Sequence, residues 1–492
     1  MFTMLDWIVL VLYILLSVAI GLWASKGNKG YNDYMRGGGA MPWIAVGISL
    51  IATSVSATTF LGNPAESYSM DMCFLMNNVG AFIAIIVVGF VFIPRIRNLK
   101  ISSAYEIFEI HFSPFVRRLA AVFYSLHLLL RMGILLYAPS LVLAPILGID
   151  IHIAILLTAI VATLYTWYGG FKAVVWTDVM QFAVLFGGGL IALWILSKGI
   201  GGFGEMLSLA EAAHKTHFFD ASDWNPANAR NLLSAGLAYA VIEIAIRGCD
   251  QQFVQRYLSC KSVKAANASS VLSMVLGIFV SVLFFLVGAA LFVYYRVKFV
   301  SPLPADLGIN QVFPYFIVNV LPPGATGLVV AAIYAAAMSS LSSAINALGN
   351  TTVKDIFLVR DESAKALFKA KRWTLLWALL STACAFVAAD MQSSLLSNAL
   401  FFTGLFTGPL LALFLLAFFT NKITTPAVVI GVFCGMTSIL LFNRIPVIPA
   451  YNPPFAGVFS FFWNPAISCF TTVVAANILR FAFPKKSALE AL

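Results

Sequence analysis

The stretch Ile51-Ala-Thr-Ser-Val-Ser-Ala-Thr-Thr59 places five hydroxyl side chains within nine residues of a segment that is otherwise apolar. The surrounding run, 43–67, is long enough to cross a bilayer once, which takes about 20 apolar residues in a helix. Gly62, Asn63 and Pro64 follow the hydroxyl run and favour a break in that helix. Because non-helical backbone inside a membrane is tolerated only where protein or a water-filled cavity surrounds it, the run predicts a broken helix beside a cavity. Close packing of small residues against a neighbouring helix is the alternative interpretation.

The composition of the whole chain makes lipid its main solvent. Hydrophobic residues fill 61% of the 492 positions and charged residues only 10%, a balance that a soluble domain of this size does not tolerate. The net charge of +10 comes from short basic clusters between apolar runs, so nucleic acid is not an expected partner. The six cysteines are dispersed, without a CxxC pair or histidines at metal-ligand spacing, and indicate neither a disulfide framework nor a zinc site. The sequence also lacks a Walker loop, an HExxH motif and a nucleophile elbow with its partners, which argues against an enzyme.

Long apolar stretches recur over nearly the whole chain and predict an all-α integral membrane protein with a single polytopic domain. The first stretch is interpreted as a span rather than a signal peptide, because it lacks a basic start and its apolar run is too long. The longest stretches are expected to tilt or kink within the bilayer. The thirteen predicted spans are 5–25, 43–67, 72–94, 118–146, 151–169, 175–198, 231–254, 265–295, 323–346, 373–390, 394–419, 424–442 and 456–480.

The short loops between these spans divide Lys and Arg unequally between two faces. More than two thirds of the 30 Lys and Arg residues fall on one face, in loops such as 26–42 and 354–372. Cytoplasmic loops carry this excess in membrane proteins. The N-terminus is therefore expected outside and the C-terminus in the cytoplasm. This scheme assigns Arg256 to the cytoplasmic loops and leaves Arg131 and Arg247 inside spans.

The ninth span places a cluster of hydroxyl side chains at membrane depth. Ser339, Ser342 and Ser343 have the i, i+3, i+4 spacing of one helical face, and Ala336 and Ser340 lie on an adjoining face. Hydroxyl clusters of this kind suit hard cations, which prefer oxygen ligands. Packing through small residues explains the serines equally well at this stage.

Charged residues inside spans require partners. Arg131 lies near the middle of the fourth span, where a charge costs several kcal/mol on insertion scales. Arg131 is expected to face an anionic solute or a water-filled cavity, and the alternative is an internal ion pair with an acid such as Glu243. Glu243, Arg247 and Asp250 follow one another at i, i+4 and i+7 in the seventh span and are expected to pair among themselves. Asp178, near the cytoplasmic start of the sixth span, either has a functional role or extends to the interface.

Five short motifs follow one another along the chain: Arg36-Gly-Gly-Gly39, Tyr168-Gly-Gly170, Val175-Trp-Thr-Asp178-Val-Met-Gln181, Val254-Gln-Arg256-Tyr257 and the run from Ala335 to Ser343. Each motif is weak alone, but in this order the set resembles the sodium/solute symporter family over nearly the whole chain. The resemblance implies a leucine-transporter-type fold. It would comprise a first helix and cytoplasmic loop in 1–42, a ten-helix core of two five-helix inverted repeats in 43–419, and two C-terminal helices with a short tail in 420–492.

The resemblance also implies that Na+ is the coupling ion. Its common site in the family is formed by three carbonyls and two hydroxyls, which correspond here to Ala52, Val55, Ala336, Ser339 and Ser340. Bacterial sialic acid symporters of the family have a second sodium site, which corresponds to Asp178, Ser339, Ser342 and Ser343. Competent residues fill all of these positions, so two sodium ions per solute are expected.

The same resemblance implies a small organic solute that bears a carboxylate, with sialic acid as the best single expectation, and no obligate protein partner. Ser54 stands where Thr is usual and Asn78 where Gln is usual, which leaves specificity for the sugar end open. The alternatives are another monocarboxylate, such as pantothenate or a short organic acid, and a neutral sugar. A membrane sensor that does not transport is the alternative from a different class. The positions that match the solute contacts of sialic acid symporters are Ser54, Ser56, Thr59, Phe74, Asn78 and Arg131.

Overall fold

The computed structural model describes residues 2–26, 30–99, 101–304, 307–390, 395–420, 423–443 and 453–484. These residues form helices joined by loops, with one isolated β-bridge between Met41 and Cys260. The α-helices are α1 (Met4–Ser25), α2 (Tyr31–Arg36), α3 (Trp43–Ser54), α4 (Ala57–Ser69), α5 (Asn77–Val87), α6 (Ile93–Asn98), α7 (Glu106–His111), α8 (Pro114–Leu147), α9 (Ile151–Ile200), α10 (Phe203–Ala212), α11 (Tyr239–Cys249), α12 (Gln251–Ser259), α13 (Val263–Phe292), α14 (Val312–Asn319), α15 (Ala325–Thr351), α16 (Ala364–Asp390), α17 (Leu395–Phe419), α18 (Thr425–Leu440) and α19 (Asn464–Ala482). The π-helical segments are Val88–Phe92, Leu232–Ala238, Val293–Val297 and Thr352–Ile356.

The helices make this chain a multi-pass membrane protein. Within the described ranges, nine helical stretches are long and apolar enough to cross a membrane alone, and a bent pair of helices makes a tenth crossing. α17 and α18 contribute two shorter apolar stretches. Large apolar side chains such as Leu12, Phe90 and Phe279 are exposed on the outer surface, as expected where the neighbour is lipid. The count of thirteen spans stays a prediction.

α9 is too long for a single crossing. Its 50 residues would extend for ~75 Å at 1.5 Å per residue, more than twice the hydrocarbon thickness of a bilayer. Gly170 interrupts the helix with φ 62° and ψ −152°, a conformation that glycine adopts readily. A Cβ atom at this position would lie 2.5 Å from the carbonyl oxygen of Tyr34 in α2. The interruption falls between the predicted fifth and sixth spans, 151–169 and 175–198.

The predicted break in the second span is present. α3 ends at Ser54 and α4 begins at Ala57, and Val55 and Ser56 between them have extended backbones. The two halves of the span are bent by 58°. The N–H of Thr59 donates to the carbonyl of Ser56 at 3.0 Å, which starts the second half. The hydroxyl run is therefore a helix break, as well as a set of small residues that allow close packing.

A second break lies in the predicted seventh span. α11 and α12 are separated by Asp250, whose backbone is extended with φ −72° and ψ 129°. Its side chain accepts the N–H of Gln252 at 2.7 Å and so caps α12. Asp250 therefore lies outside the helix that carries Glu243 and Arg247, and the expected pairing among these three residues does not extend to Asp250 in the described part of the chain. The two breaks are five predicted spans apart, which is the separation that two five-helix repeats give to corresponding helices.

α15 lies at the centre of the protein. It packs against α9, α8, α1 and α16, and every residue from 329 to 355 is buried. Its sequence is rich in Ala, Ser and Gly, and small side chains let neighbouring helix backbones approach closely in a membrane. The hydroxyl cluster of this helix therefore faces other parts of the protein and has no contact with lipid.

Close approach also limits what α13 tolerates. A Cβ atom at Gly288 would lie 2.3 Å from the carbonyl oxygen of Pro64 in α4, whereas one at Gly187 in α9 would have no atom within 4 Å. We expect Gly288→Ala to destabilise the protein by about 1–3 kcal/mol through overpacking. Gly187→Ala should stabilise it by about 0.5–1 kcal/mol, because alanine loses less backbone entropy in a helix. Unfolding midpoints of the two variants in detergent measure this, and equal midpoints would contradict the packing argument.

Candidate functional site

The break between α3 and α4 brings backbone oxygens to the face of α15. The last carbonyls of a helix have no amide partner in the next turn, and α3 ends inside the protein. The hydroxyl of Ser339 lies 2.9 Å from the carbonyl oxygen of Ala52 and 3.1 Å from that of Ala336. The structure thus joins a carbonyl of the broken helix, a carbonyl of α15 and a serine hydroxyl at one point.

Two other predicted ligands of the first sodium site lie beside this point. Val55 follows the last residue of α3 and has an extended backbone. Ser340 is 3% exposed, and its hydroxyl has no hydrogen-bond partner among the described residues. An unsatisfied buried hydroxyl is costly, and hard cations bind such oxygens. The oxygen set is therefore chemically suited to Na+.

Asp178 is fully buried in α9 and does not extend to the interface. Its Oδ2 atom accepts hydrogen bonds from Ser49 at 2.5 Å and from Nη2 of Arg256 at 2.9 Å. Its Oδ1 atom is buried and has no partner among the described residues. One half of the carboxylate is thus neutralised by an arginine, and the other half is available to a further ligand.

The predicted second sodium site is only partly assembled by direct contacts. The hydroxyl of Ser343 accepts from Nη2 of Arg256 at 2.6 Å, so this arginine connects Ser343 to Asp178. The hydroxyl of Ser342 donates to the carbonyl of Ser339 at 3.1 Å. The four predicted ligands therefore form two pairs. Arg256 connects Asp178 to Ser343, and a hydrogen bond connects Ser342 to Ser339.

The position of Arg256 corrects its assignment to a cytoplasmic loop. The residue belongs to α12 and is only 1% exposed. Its Nε donates to Ser49 at 2.8 Å and its Nη1 donates to the carbonyl of Gln252 at 2.9 Å. A guanidinium can leave water only where its donors are satisfied, and here they are satisfied by protein. The sequence signal that could have located it is Asp178, a buried acid that needed a cation.

Arg131 is the contrasting cation. It lies in α8, is partly buried, and makes no hydrogen bond or ion pair among the described residues. The alternative partner Glu243 is already engaged, since it binds Nε of Arg247 at 2.5 Å and accepts from the hydroxyl of Tyr239 at 3.0 Å. Asp250 interacts with Arg131 only through longer-range electrostatics. The predicted pairing of Glu243 with Arg247 is thus present, and Arg131 is left with a guanidinium that is free to bind an anion.

The other predicted solute contacts lie around the first break and at the start of α5. The hydroxyl of Ser54 donates to the carbonyl of Leu50 at 3.0 Å, and Nδ2 of Asn78 donates to the carbonyl of Leu75 at 2.9 Å. Ser56 is buried, and Thr59 is partly buried. In the described part of the chain no hydrogen bond joins these side chains to one another, so their role in binding stays a prediction.

Phe74 lies in the connection between α4 and α5. Its ring packs edge-on against Phe462, with 5.9 Å between the ring centroids. The guanidinium of Arg230 lies 5.7 Å from the centroid of the same ring. Arg230 also binds Glu66 at 2.6 Å and contacts Asp71. Phe74 is therefore held between an aromatic ring and an ion-paired arginine at one end of the broken helix.

Comparisons with known proteins agree with this geometry. The model of the Sodium:solute symporter family matches residues 34–435. The sodium/sialic acid symporter SiaT of Proteus mirabilis (strain HI4320) is 31% identical, over 97% of this chain and 95% of its own length. Sodium-coupled monocarboxylate transporter 1 of Xenopus laevis is 32% identical, over 88% of this chain and 71% of its own.

A solved structure also shares the fold. It is described as a substrate-bound outward-open state of a Na+-coupled sialic acid symporter, and it superposes with a TM-score of 0.87 at 30% identity. The similarity covers 99% of this chain and 100% of that one. The leucine-transporter-type fold that the motifs implied is therefore confirmed.

The environment of Arg256 generates a stability prediction. Arg256→Gln would leave the carboxylate of Asp178 buried without its cation, and we expect a loss of about 3–5 kcal/mol. The control is Arg36→Gln, which breaks an ion pair with Glu362, whose side chain is 43% exposed, and should cost about 0–1 kcal/mol. The double variant Arg256→Gln with Asp178→Asn should recover part of the loss. Denaturant unfolding in mixed micelles measures all three, and equal losses for both single variants would contradict this account.

Proposed function

This chain belongs to the sodium:solute symporter family, whose members are membrane transporters and not enzymes, and we propose that its own solute is the organic anion sialic acid. Arg131 is the single observation that carries the proposal. This cation lies near the middle of a span, and its side chain makes no hydrogen bond or ion pair among the described residues. A charge at this depth is tolerated only with compensation, and a guanidinium binds a carboxylate in a bidentate manner.

The solute site extends from Arg131 to the first helix break. In this proposal the carboxylate of the solute binds Arg131, and Ser54, Ser56, Thr59 and Asn78 supply polar groups for the remainder, with Phe74 at the outer end. The full-length similarity to sialic acid symporters supports this choice. A second candidate is a smaller monocarboxylate. A sodium-coupled monocarboxylate transporter has a similar sequence identity to this chain, and the guanidinium of Arg131 can bind any carboxylate. A neutral sugar would leave Arg131 without an anionic partner.

We further propose that two sodium ions accompany the solute. The first is bound by the carbonyls of Ala52, Val55 and Ala336 and the hydroxyls of Ser339 and Ser340. The buried, unpartnered hydroxyl of Ser340 supports this site. The second is bound by Asp178, Ser339, Ser342 and Ser343, and the unpartnered Oδ1 atom of Asp178 supports it. An ion at the second site shares the carboxylate of Asp178 with Arg256.

The proposed direction of transport is inward across the bacterial inner membrane. The unequal distribution of Lys and Arg supports an N-terminus outside and a C-terminus in the cytoplasm. In the proposed division, 43–419 forms the transporting core, 1–42 precedes it, and 420–492 follows it. Sodium influx then supplies the free energy for solute accumulation.

The sodium ligands can be tested separately. Uptake into proteoliposomes should require sodium and be absent in potassium or choline, with a Hill coefficient for sodium above one. Ser340→Ala should raise the half-saturating sodium concentration roughly tenfold, since loss of one ligand worth about 1.4 kcal/mol has this effect. Ser342→Ala spares the contact between Asp178 and Arg256 and should lower the Hill coefficient towards one.

Ser270→Ala is the matched control for these variants, because it removes a buried hydroxyl from α13 outside both proposed sites. It should leave the half-saturating sodium concentration and the Hill coefficient unchanged. A parent Hill coefficient near one would argue for a single sodium ion and leave Ser342 a structural residue. Equal uptake in all three salts would rule out sodium coupling altogether.

The solute is tested at Arg131. Sodium-driven uptake of labelled sialic acid should lose at least roughly tenfold in affinity in Arg131→Lys, because an ammonium cannot make the bidentate contact. Arg131→Ala should bind no detectable solute while it keeps the parent unfolding midpoint, and an amide analogue should not compete in the parent. Arg118→Lys, on the same helix, is the control and should transport normally. If a neutral sugar is transported and Arg131→Ala changes its affinity by no more than about twofold (~0.4 kcal/mol), the carboxylate assignment is wrong.

A further inference from the structure

Three metal-ligating side chains meet near the C-terminal end of α4, the second half of the broken helix. Asp71 and Cys73 lie in the connection between α4 and α5, and His217 lies in the long segment between α10 and α11. One ligand atom of each residue lies within 4.8 Å of the other two. His217 is 144 residues away from Cys73, so sequence spacing shows no zinc motif and only the fold brings the two together.

The distances suit a tetrahedral ion. The Sγ atom of Cys73 lies 3.3 Å from Nδ1 of His217, and the same nitrogen lies 3.9 Å from Oδ2 of Asp71. Ligands at tetrahedral angles around zinc, with bonds of about 2.0–2.3 Å, are separated by about 3.3–3.6 Å. Small side-chain rotations would therefore place all three atoms around one ion.

Contacts around the cluster hold it in position, and the thiol of Cys73 also donates to the carbonyl oxygen of His217 at 3.8 Å. The other carboxylate oxygen of Asp71, Oδ1, accepts the backbone N–H of Cys73 at 2.8 Å and a contact from Arg230. The N–H of Met72 donates to the carbonyl of His217 at 2.9 Å, which fixes the two segments to each other. Outer contacts of this kind orient metal ligands and strengthen binding.

The exposure and the chemistry of the three side chains indicate which ion the site would bind. The side chain of His217 is 55% exposed and that of Asp71 is 24% exposed, so an ion can enter from solvent, and Cys73 is buried behind them. Thiolate and imidazole ligands select zinc-like transition metals over Ca2+ and Mg2+, which prefer oxygen. Binding replaces the thiol proton of Cys73 with the metal ion and releases that proton to solvent.

We propose that Asp71, Cys73 and His217 form an inhibitory site for Zn2+, with solvent in the fourth position. A bound ion links the end of the first broken helix to the segment that leads into the second, and Cys73 adjoins Phe74 of the solute site. The ion would lie beside Phe74, a proposed solute contact, so it should restrict this end of the solute site and slow transport. The inhibition rests on the proposed function, whereas binding of the ion does not.

Binding is tested with Co2+ as the probe on the purified full chain. The parent should show a thiolate-to-cobalt charge-transfer band that Zn2+ removes by displacement. Cys73→Ser should abolish the band, and His217→Ala should weaken cobalt binding by at least about tenfold, as loss of a direct ligand does. His214→Ala removes an exposed histidine from the same segment and should match the parent. Unfolding midpoints without metal establish that each variant is folded.

Inhibition is tested in proteoliposomes from the same proteins. Zn2+ should slow sodium-driven uptake in the parent and in His214→Ala, but not in Cys73→Ser or His217→Ala. The proposal is overturned if the parent shows no band, if the band survives in Cys73→Ser, or if saturating Zn2+ leaves the uptake rate unchanged. If sialic acid is not taken up, the proposed solute fails on its own, and the cobalt band still decides whether the metal site exists.

Discussion

The burial of Arg256 is the constraint on which the core of this protein depends. Taking a guanidinium out of water costs several kcal/mol, and one ion pair alone does not offset it. Four helices supply the compensation: Ser49 from α3, Asp178 from α9, the carbonyl of Gln252 from α12 and Ser343 from α15. Each of these helices must stay in register with the others for the charge to remain satisfied.

The two helix breaks become tolerable in this setting. Backbone that leaves the helical ladder inside a membrane needs partners within the protein. At the first break the hydroxyl of Ser339 lies against the carbonyl of Ala52, and at the second Asp250 caps the helix that carries Arg256. α15 can offer hydroxyls to the first break because it is buried on all sides. The helix interruptions and the burial of α15 are thus parts of one arrangement.

Sequence patterns predicted those features that depend on a single segment of the chain. The hydroxyl run between 51 and 59 predicted the first break, because hydroxyl side chains are unusual at membrane depth. The second break has no such run, and the i, i+4, i+7 spacing of Glu243, Arg247 and Asp250 instead predicted that these residues pair among themselves. The burial of Arg256 and the proximity of Cys73 to His217 depend on residues far apart in the chain, which periodicity does not report. The ion and solute ligands rest on family resemblance and stay predictions.

The pairing of Asp178 with Arg256 also has an electrical consequence. A carboxylate beside a fixed guanidinium forms a unit of zero net charge. The membrane potential therefore does no net electrical work on this pair when the protein changes conformation without bound ions. A sodium ion that joins it adds a full positive charge, and moving one charge through 100 mV is worth about 2.3 kcal/mol. With two sodium ions and one carboxylate per cycle, the proposed transport carries net positive charge inward, and the membrane potential then acts on the loaded protein through the ions it has taken up.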